Sequence, residues 1–152
     1  MAKNTICIKS KNSPKDEFIA SGTITPGMML EIDSNLKVKA HATAGGPATK
    51  LFAIEDENIG NGIADNYTAT LPDVVRVVHA RPGDWIYAIF DDDSSQETPI
   101  VKGDYVVSSG DGRVRKFQGG ESVWVNEQSN SIIGIAQESQ STAGGRVTII
   151  IT

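Results

Sequence analysis

The chain has 152 residues, of which 39% are hydrophobic, 22% charged and 6% aromatic. These values are typical of one soluble globular domain that buries its own core. The single cysteine, Cys7, excludes an internal disulfide, and the apolar runs are far shorter than the roughly 20 residues of a membrane-spanning helix. No secretory signal pattern is visible at the start of the sequence. We therefore expect no disulfide, no membrane span and no secretion.

The formal net charge is −5, and the charge is unevenly distributed. Residues 1–15 contain four lysines and no acidic residue, whereas the remainder carries a net charge of −9. An acidic body disfavours nucleic acid and anionic membranes as partners, because both repel negative charge. The basic start is either a solvated terminus with no special role or an arm that docks on a partner.

The spacing of apolar residues predicts an all-β protein. Apolar residues come in short alternating or continuous runs bounded by Gly, Pro, Asn, Asp and Ser, and helical periodicity is nearly absent. Strands are predicted over residues 5–9, 28–32, 36–40, 50–55, 74–79, 85–90, 105–108, 113–117, 122–125, 132–137 and 146–151. Many short strands separated by turn signals indicate a sandwich or a barrel.

One signal for a helix start is present, at Ser13-Pro14-Lys15-Asp16. Ser13 is suited to cap a helix and Pro14 to occupy its first turn, but Gly22 follows closely, so at most one short helix is expected. We predict an extended N-terminal arm over residues 1–20 and a single β domain over residues 21–152.

A weak internal repeat relates residues 24–55 to residues 100–138. Thr25-Pro26-Gly27 and Val101-Lys102-Gly103 each introduce a hairpin, and the two hairpins match at a constant offset of 76 residues. Residues 51–55 resemble residues 132–136 more loosely. The similarity reflects either a duplicated β unit or the turn chemistry that all hairpins share.

The predicted strand 85–90 is apolar on both faces, since side chains alternate along a strand. This strand either lies at the centre of the core or presents one face to another subunit. Aromatic residues are enriched at the centres of interfaces. The candidate subunit-interface residues are Trp85, Tyr87, Ile89 and Trp124.

No combination of residues predicts catalytic, cofactor or metal chemistry. The acidic runs at 55–57 and 91–93 lack the spacing of a calcium loop, and His41, His79 and Cys7 are too far apart for a paired zinc motif. A nucleophile elbow and a phosphate-binding loop are both missing. The sequence therefore predicts a protein that is not an enzyme and uses no cofactor.

Glycine-led hairpins, an acidic β body and a short basic start occur together here, most clearly at residues 24–31, 102–107 and 132–136. In this combination the chain resembles the head decoration, or capsid cement, proteins of tailed bacteriophages. Such proteins are small β-barrel-like or β-tulip proteins that commonly form trimers at threefold or quasi-threefold positions of the capsid. Their N-terminal arms often add a strand to the shell protein.

The resemblance implies a structural virion protein, made in the host cytoplasm, that binds the outer surface of the assembled capsid as a homotrimer and stabilises it. Its partner would be the major capsid protein of the same phage. The alternation of Ile6 and Ile8 with polar residues suits an added edge strand. The capsid-binding arm is assigned to Thr5, Ile6, Cys7, Ile8 and Lys9.

Two other functions remain open from the sequence. Another virion component, such as a tail protein or a receptor-binding module, would share the β-rich character and the polar loops. A small trimeric β hydrolase would hold its active site between subunits and would use acidic loop residues such as Asp65 or Asp92.

Overall fold

The computed structural model describes residues 3–10, 12–70, 73–91, 99–118 and 131–152. Within these ranges the protein is all-β, as predicted, with a 3₁₀ turn at Glu57–Ile59. The strands are β1 (Cys7–Lys9), β2 (Lys15–Ile19), β3 (Met29–Ile32), β4 (Val38–Ala40), β5 (Leu51–Ala53), β6 (Val74–His79), β7 (Trp85–Ile89), β8 (Tyr105–Ser108), β9 (Val114–Lys116), β10 (Gly134–Ala136) and β11 (Arg146–Ile151).

The strands form two antiparallel sheets. One sheet has six strands in the order β1-β7-β11-β10-β8-β9, and the other has five in the order β2-β6-β5-β3-β4. Among the described residues the strands of neither sheet close into a barrel, so of the two predicted architectures the sandwich describes the fold. The five-stranded sheet curls far enough that its edges meet in one parallel bridge, between Ala20 and Val38.

Two apolar clusters stabilise this arrangement. The first joins the sheets, combining Met29, Phe52 and Val78 of the five-stranded sheet with the inward side chains of the six-stranded sheet. The second fills the curl of the five-stranded sheet and is covered by Ile24 and Tyr67. The centre of the five-stranded sheet, which includes β5, is therefore buried on both faces, because alternate side chains enter different clusters.

The bounds predicted from the sequence for β6, β8 and β11 agree with those in the structure. The predicted strand 122–125 lies outside the described residues. The helix expected near Ser13 is wrong: this segment forms β2, which pairs antiparallel with β6. Ser13 caps no helix and instead donates a hydrogen bond to the Asp84 carboxylate.

Residues 3–10 and 12–20 lie against the body of the protein, although an extended arm was expected over residues 1–20. β1 is an edge strand of one sheet and β2 an edge strand of the other. These residues pack on the body because they bury apolar side chains. Ile6 is fully buried in the cluster that joins the sheets, and Phe18 packs on the second cluster.

The two sheets share one plan. We name residues 14–80, with β2 to β6, repeat A, and residues 84–152, with β7 to β11, repeat B. The order β2-β6-β5-β3-β4 corresponds strand for strand to β7-β11-β10-β8-β9. The register agrees as well, since Leu30 pairs with Ala40 as Val106 pairs with Lys116, while Phe52 pairs with Val78 as Ile135 pairs with Ile150.

This correspondence extends beyond residues 24–55 and 100–138, and it corrects one part of the sequence alignment. The structure matches Leu51 to Gly134, two residues further along than the looser similarity between residues 51–55 and 132–136 placed it. A shift of two residues keeps every side chain on the same face of a strand, so apolar patterning could not exclude it.

Candidate interaction surface

The residues assigned to the capsid-binding arm form the outer edge of the six-stranded sheet. The Glu55 carboxylate accepts hydrogen bonds from the Thr5 hydroxyl and from the Ile6 amide, while the Ile6 carbonyl accepts one from the Tyr87 amide at 2.8 Å. Ile6 is buried and Ile8 half-buried. Burial also raises the pKa of the Cys7 thiol. This end of the chain is held in place by polar and apolar contacts together.

Lys9 is exposed at the same edge, and its ammonium lies 4.4 Å from the centre of the Trp85 ring. That geometry is a cation–π contact and is worth about 0.5–1 kcal/mol at an exposed site. Lys9 therefore presents positive charge to solvent beside an aromatic surface.

One face of β7 lies in the core, as one of the two interpretations of this strand predicted, and contact of the other face with a second subunit stays a prediction. Ile86, Ala88 and Phe90 are fully buried in the core. Trp85 and Tyr87 point to the opposite face and are half-buried, while Ile89 on that face is buried where its amide donates to the Gly27 carbonyl of repeat A. Trp124 lies outside the described residues.

An apolar row that the sequence did not single out crosses the outer face of the six-stranded sheet. Trp85 pairs with Ile150, Ile150 with Ile135 and Ile135 with Tyr105, so the four side chains occupy one line across β7, β11, β10 and β8. Three of them are half-buried and Tyr105 is 50% exposed. This row can be recognised only once the strand order is known, because its residues are far apart in the sequence.

Polar contacts surround the apolar cluster at the junction between the repeats. The Arg146 guanidinium donates to the Pro26 carbonyl at 2.6 Å and to the Ile63 carbonyl, and burial lowers its pKa from the ordinary value. His41 lies 2.7 Å from the Ser108 hydroxyl through Nδ1 and 3.1 Å from the Pro47 carbonyl through Nε2. The contacts of Arg146 and the contact between His41 and Ser108 join repeat A to repeat B.

A second polar cluster lies on the outer face of the six-stranded sheet, where the Lys3 ammonium is 2.7 Å from the Glu138 carboxylate. The same carboxylate accepts hydrogen bonds from the Thr148 amide and hydroxyl. Burial alone would raise the pKa of Glu138, but these hydrogen bonds and the lysine charge lower it. The cluster secures the residues that precede β1.

The described parts of the chain contain no cluster of metal-ligating side chains. No three His, Cys, Asp or Glu side chains in those ranges converge as metal ligands would. Asp65 is exposed and accepts a hydrogen bond from the Gly62 amide in its own turn, and Asp92 lies outside the described residues. No helix among the described residues has the length and apolar character to cross a membrane.

Comparison with solved structures shows a similarity in fold. Over 91% of this chain and 95% of the other, the fold is similar to the crystal structure of the head fiber gp8.5 N base of bacteriophage phi29, with a TM-score of 0.56 at 13% sequence identity. No protein-family model matches the sequence, and no curated protein matches it significantly. At this identity the similarity establishes a shared fold.

Proposed function

We propose that this protein is a structural component of a bacteriophage virion that binds the outer surface of the capsid as a homotrimer and stabilises the shell. The observation that carries the proposal is the match of nearly the whole chain to the base of a phage head fiber. A clamp on a shell needs rigid elements, open strand edges and apolar contact area, and it needs no reactive group. The proposed role is accordingly not enzymatic.

The major capsid protein is the proposed partner, and β1 with its preceding residues is the proposed contact. β1 is an edge strand, so its outer side is suited to pair with a strand of another chain. Lys9 adds exposed positive charge at this edge of an otherwise acidic protein. Several copies per oligomer would multiply a modest individual affinity through high effective concentration.

The test is co-sedimentation with capsids that lack this protein. Deleting the first residues is unsuitable, because it would remove Ile6 from the core. We instead propose Lys9→Glu, which changes an exposed side chain at the edge, and Lys102→Glu as the matched control on another exposed turn. The proposal predicts saturable binding of the wild type, at least tenfold weaker binding of Lys9→Glu and unchanged binding of the control. Failure of the wild type to bind capsids would refute it.

A further inference from the structure

Repeats A and B agree in details beyond strand order. The edges of repeat A meet at the parallel bridge between Ala20 and Val38, and those of repeat B meet at an equivalent parallel bridge between Phe90 and Val114. The turn glycines also correspond: Gly27 donates to the Ala53 carbonyl and Gly103 to the Ala136 carbonyl, each at 2.8 Å. Every surface of one repeat therefore has a defined counterpart on the other.

The centre of the outer face of repeat A is buried within the chain. Met29, Phe52 and Val78 lie in one row across β3, β5 and β6 and are fully inaccessible in the cluster that joins the sheets. Their counterparts in repeat B are Tyr105, Ile135 and Ile150, since these occupy the same register positions. In repeat B this row is accessible to solvent. We name Trp85, Tyr105, Ile135 and Ile150 the open face.

Repeat B contacts repeat A through a surface other than the open face. Gly112 accepts a hydrogen bond from the Met29 amide at 2.7 Å, Ser108 bonds His41, Ile89 donates to the Gly27 carbonyl, and Arg146 donates to the Pro26 carbonyl. The register relates these positions of repeat B to four positions of repeat A. Those positions are Leu36, Ile32, Ile19 and Val74, which we name the open seat.

The open seat is apolar and exposed. Its four side chains, together with Tyr105 of the open face, make up five of the seven large hydrophobic side chains that are exposed in the described parts of the chain. Leu36 is 76% exposed and has a positive φ of 58°, as its counterpart Gly112 has a φ of 82°. The open face and the open seat are thus the counterparts of the two surfaces that join the repeats, and both are accessible in one chain.

We propose that the open face of repeat B in one copy packs on the open seat of repeat A in the next copy, in the arrangement that joins the repeats within the chain. The contact is head-to-tail, because the two surfaces differ, and repeated head-to-tail contacts close into a ring when the rotation permits. A second copy of this chain is the occupant that the geometry fits. This inference deepens the oligomeric part of the proposed function and needs no capsid for its test.

The test uses one variant on each surface and an exposed control. Leu36→Asp changes the open seat at a φ that aspartate tolerates, and Tyr105→Asp changes the open face. Ile59→Asp changes a side chain that is 64% exposed and belongs to neither surface. Native mass spectrometry and light scattering give the mass of each protein, and urea unfolding confirms that each is folded.

The inference predicts a wild type and an Ile59→Asp protein of several times the 16.2 kDa chain mass, and monomers for Leu36→Asp and Tyr105→Asp. Each monomeric variant keeps one intact surface, so mixing the two should give a one-to-one dimer and nothing larger. A monomeric wild type would overturn the inference. It would also be overturned if Leu36→Asp left the oligomer intact, since that result indicates a symmetric contact of the open face with itself.

Discussion

The substitution Gly27→Ala tests how much packing at the junction between the repeats contributes to stability. Gly27 has a φ of +95° in a turn, and a Cβ added there would lie 2.2 Å from Arg146 Nη1 and 3.0 Å from the Tyr87 carbonyl oxygen. Gly83 has the same φ in an equivalent turn, with no atom within 4 Å of an added Cβ. Gly27→Ala and Gly83→Ala therefore share the backbone strain and differ only in packing.

The expected magnitudes follow from these contacts. An alanine at positive φ costs about 1–2 kcal/mol, which is the whole expected effect of Gly83→Ala. In Gly27→Ala the Arg146 guanidinium must also move and lose its hydrogen bonds to Pro26 and Ile63. Because that side chain is half-buried, we assign the loss and the crowding together about 2–3 kcal/mol. The total destabilisation of Gly27→Ala is then about 3–5 kcal/mol.

Urea unfolding of the two variants measures both free energies, with tryptophan fluorescence as the signal. A double-mutant cycle with Arg146→Met separates the two contributions, since the excess cost of Gly27→Ala should largely disappear once the guanidinium is removed. Equal destabilisation by Gly27→Ala and Gly83→Ala would refute the reasoning, because packing at the junction would then add nothing to backbone strain.

Three further predictions concern the core and the polar clusters. Phe52→Ala should lower the free energy of unfolding by about 3–5 kcal/mol, while Ile59→Ala should change it by no more than about 0.5 kcal/mol in the same urea titration. Tyr67→Phe should cost about 1–2 kcal/mol, because the buried hydroxyl, whose pKa is raised to about 12, donates to the Ile54 carbonyl at 2.7 Å; a neutral result would contradict that assignment. Glu138→Gln should destabilise the protein at neutral pH. Since the pKa of Glu138 is lowered in the fold, this difference from wild type should be fully present above the ordinary value of 4.5 and shrink as the pH falls below it; a difference that grows in acid would contradict the sign.

Strands were predictable where one face of an apolar run is buried and turn residues bound it, as in β6, β8 and β11. β2 was missed because its lysine, aspartate and glutamate side chains are exposed at a sheet edge. Phe18 is the one side chain of this strand that packs on an apolar cluster. Edge strands often carry charge, which blocks unwanted pairing and removes the apolar alternation that identifies a strand.

The core also contains a residue that local sequence could not identify. Tyr67 stands in a polar segment, yet it is fully buried and pairs with Ile24 through an antiparallel bridge. Its burial depends on the curl of the five-stranded sheet, which brings Ile24 and Ile54 beside it. The 3₁₀ turn before it did carry a local signal, since Asp56 caps its start and Gly60, with a φ of 79°, ends it.

The interaction surface was predictable only in part. Alternation along residues 85–90 correctly separated Ile86, Ala88 and Phe90 from the opposite face. The open face and the open seat could not be found in this way, because each gathers residues from several strands whose pairing depends on the register. The internal repeat of the hairpins was the sequence feature that pointed to the correspondence between the two repeats, and this correspondence relates the two surfaces.

Cryo-electron microscopy of the assembled virion tests the central claim most directly. Particles with and without this protein are imaged and their density is compared, with the full-length chain in its native oligomer. The account predicts additional oligomeric density on the outer surface of the head, with the β1 edge facing the major capsid protein. Density confined to the tail, or identical particles in the two preparations, would contradict it.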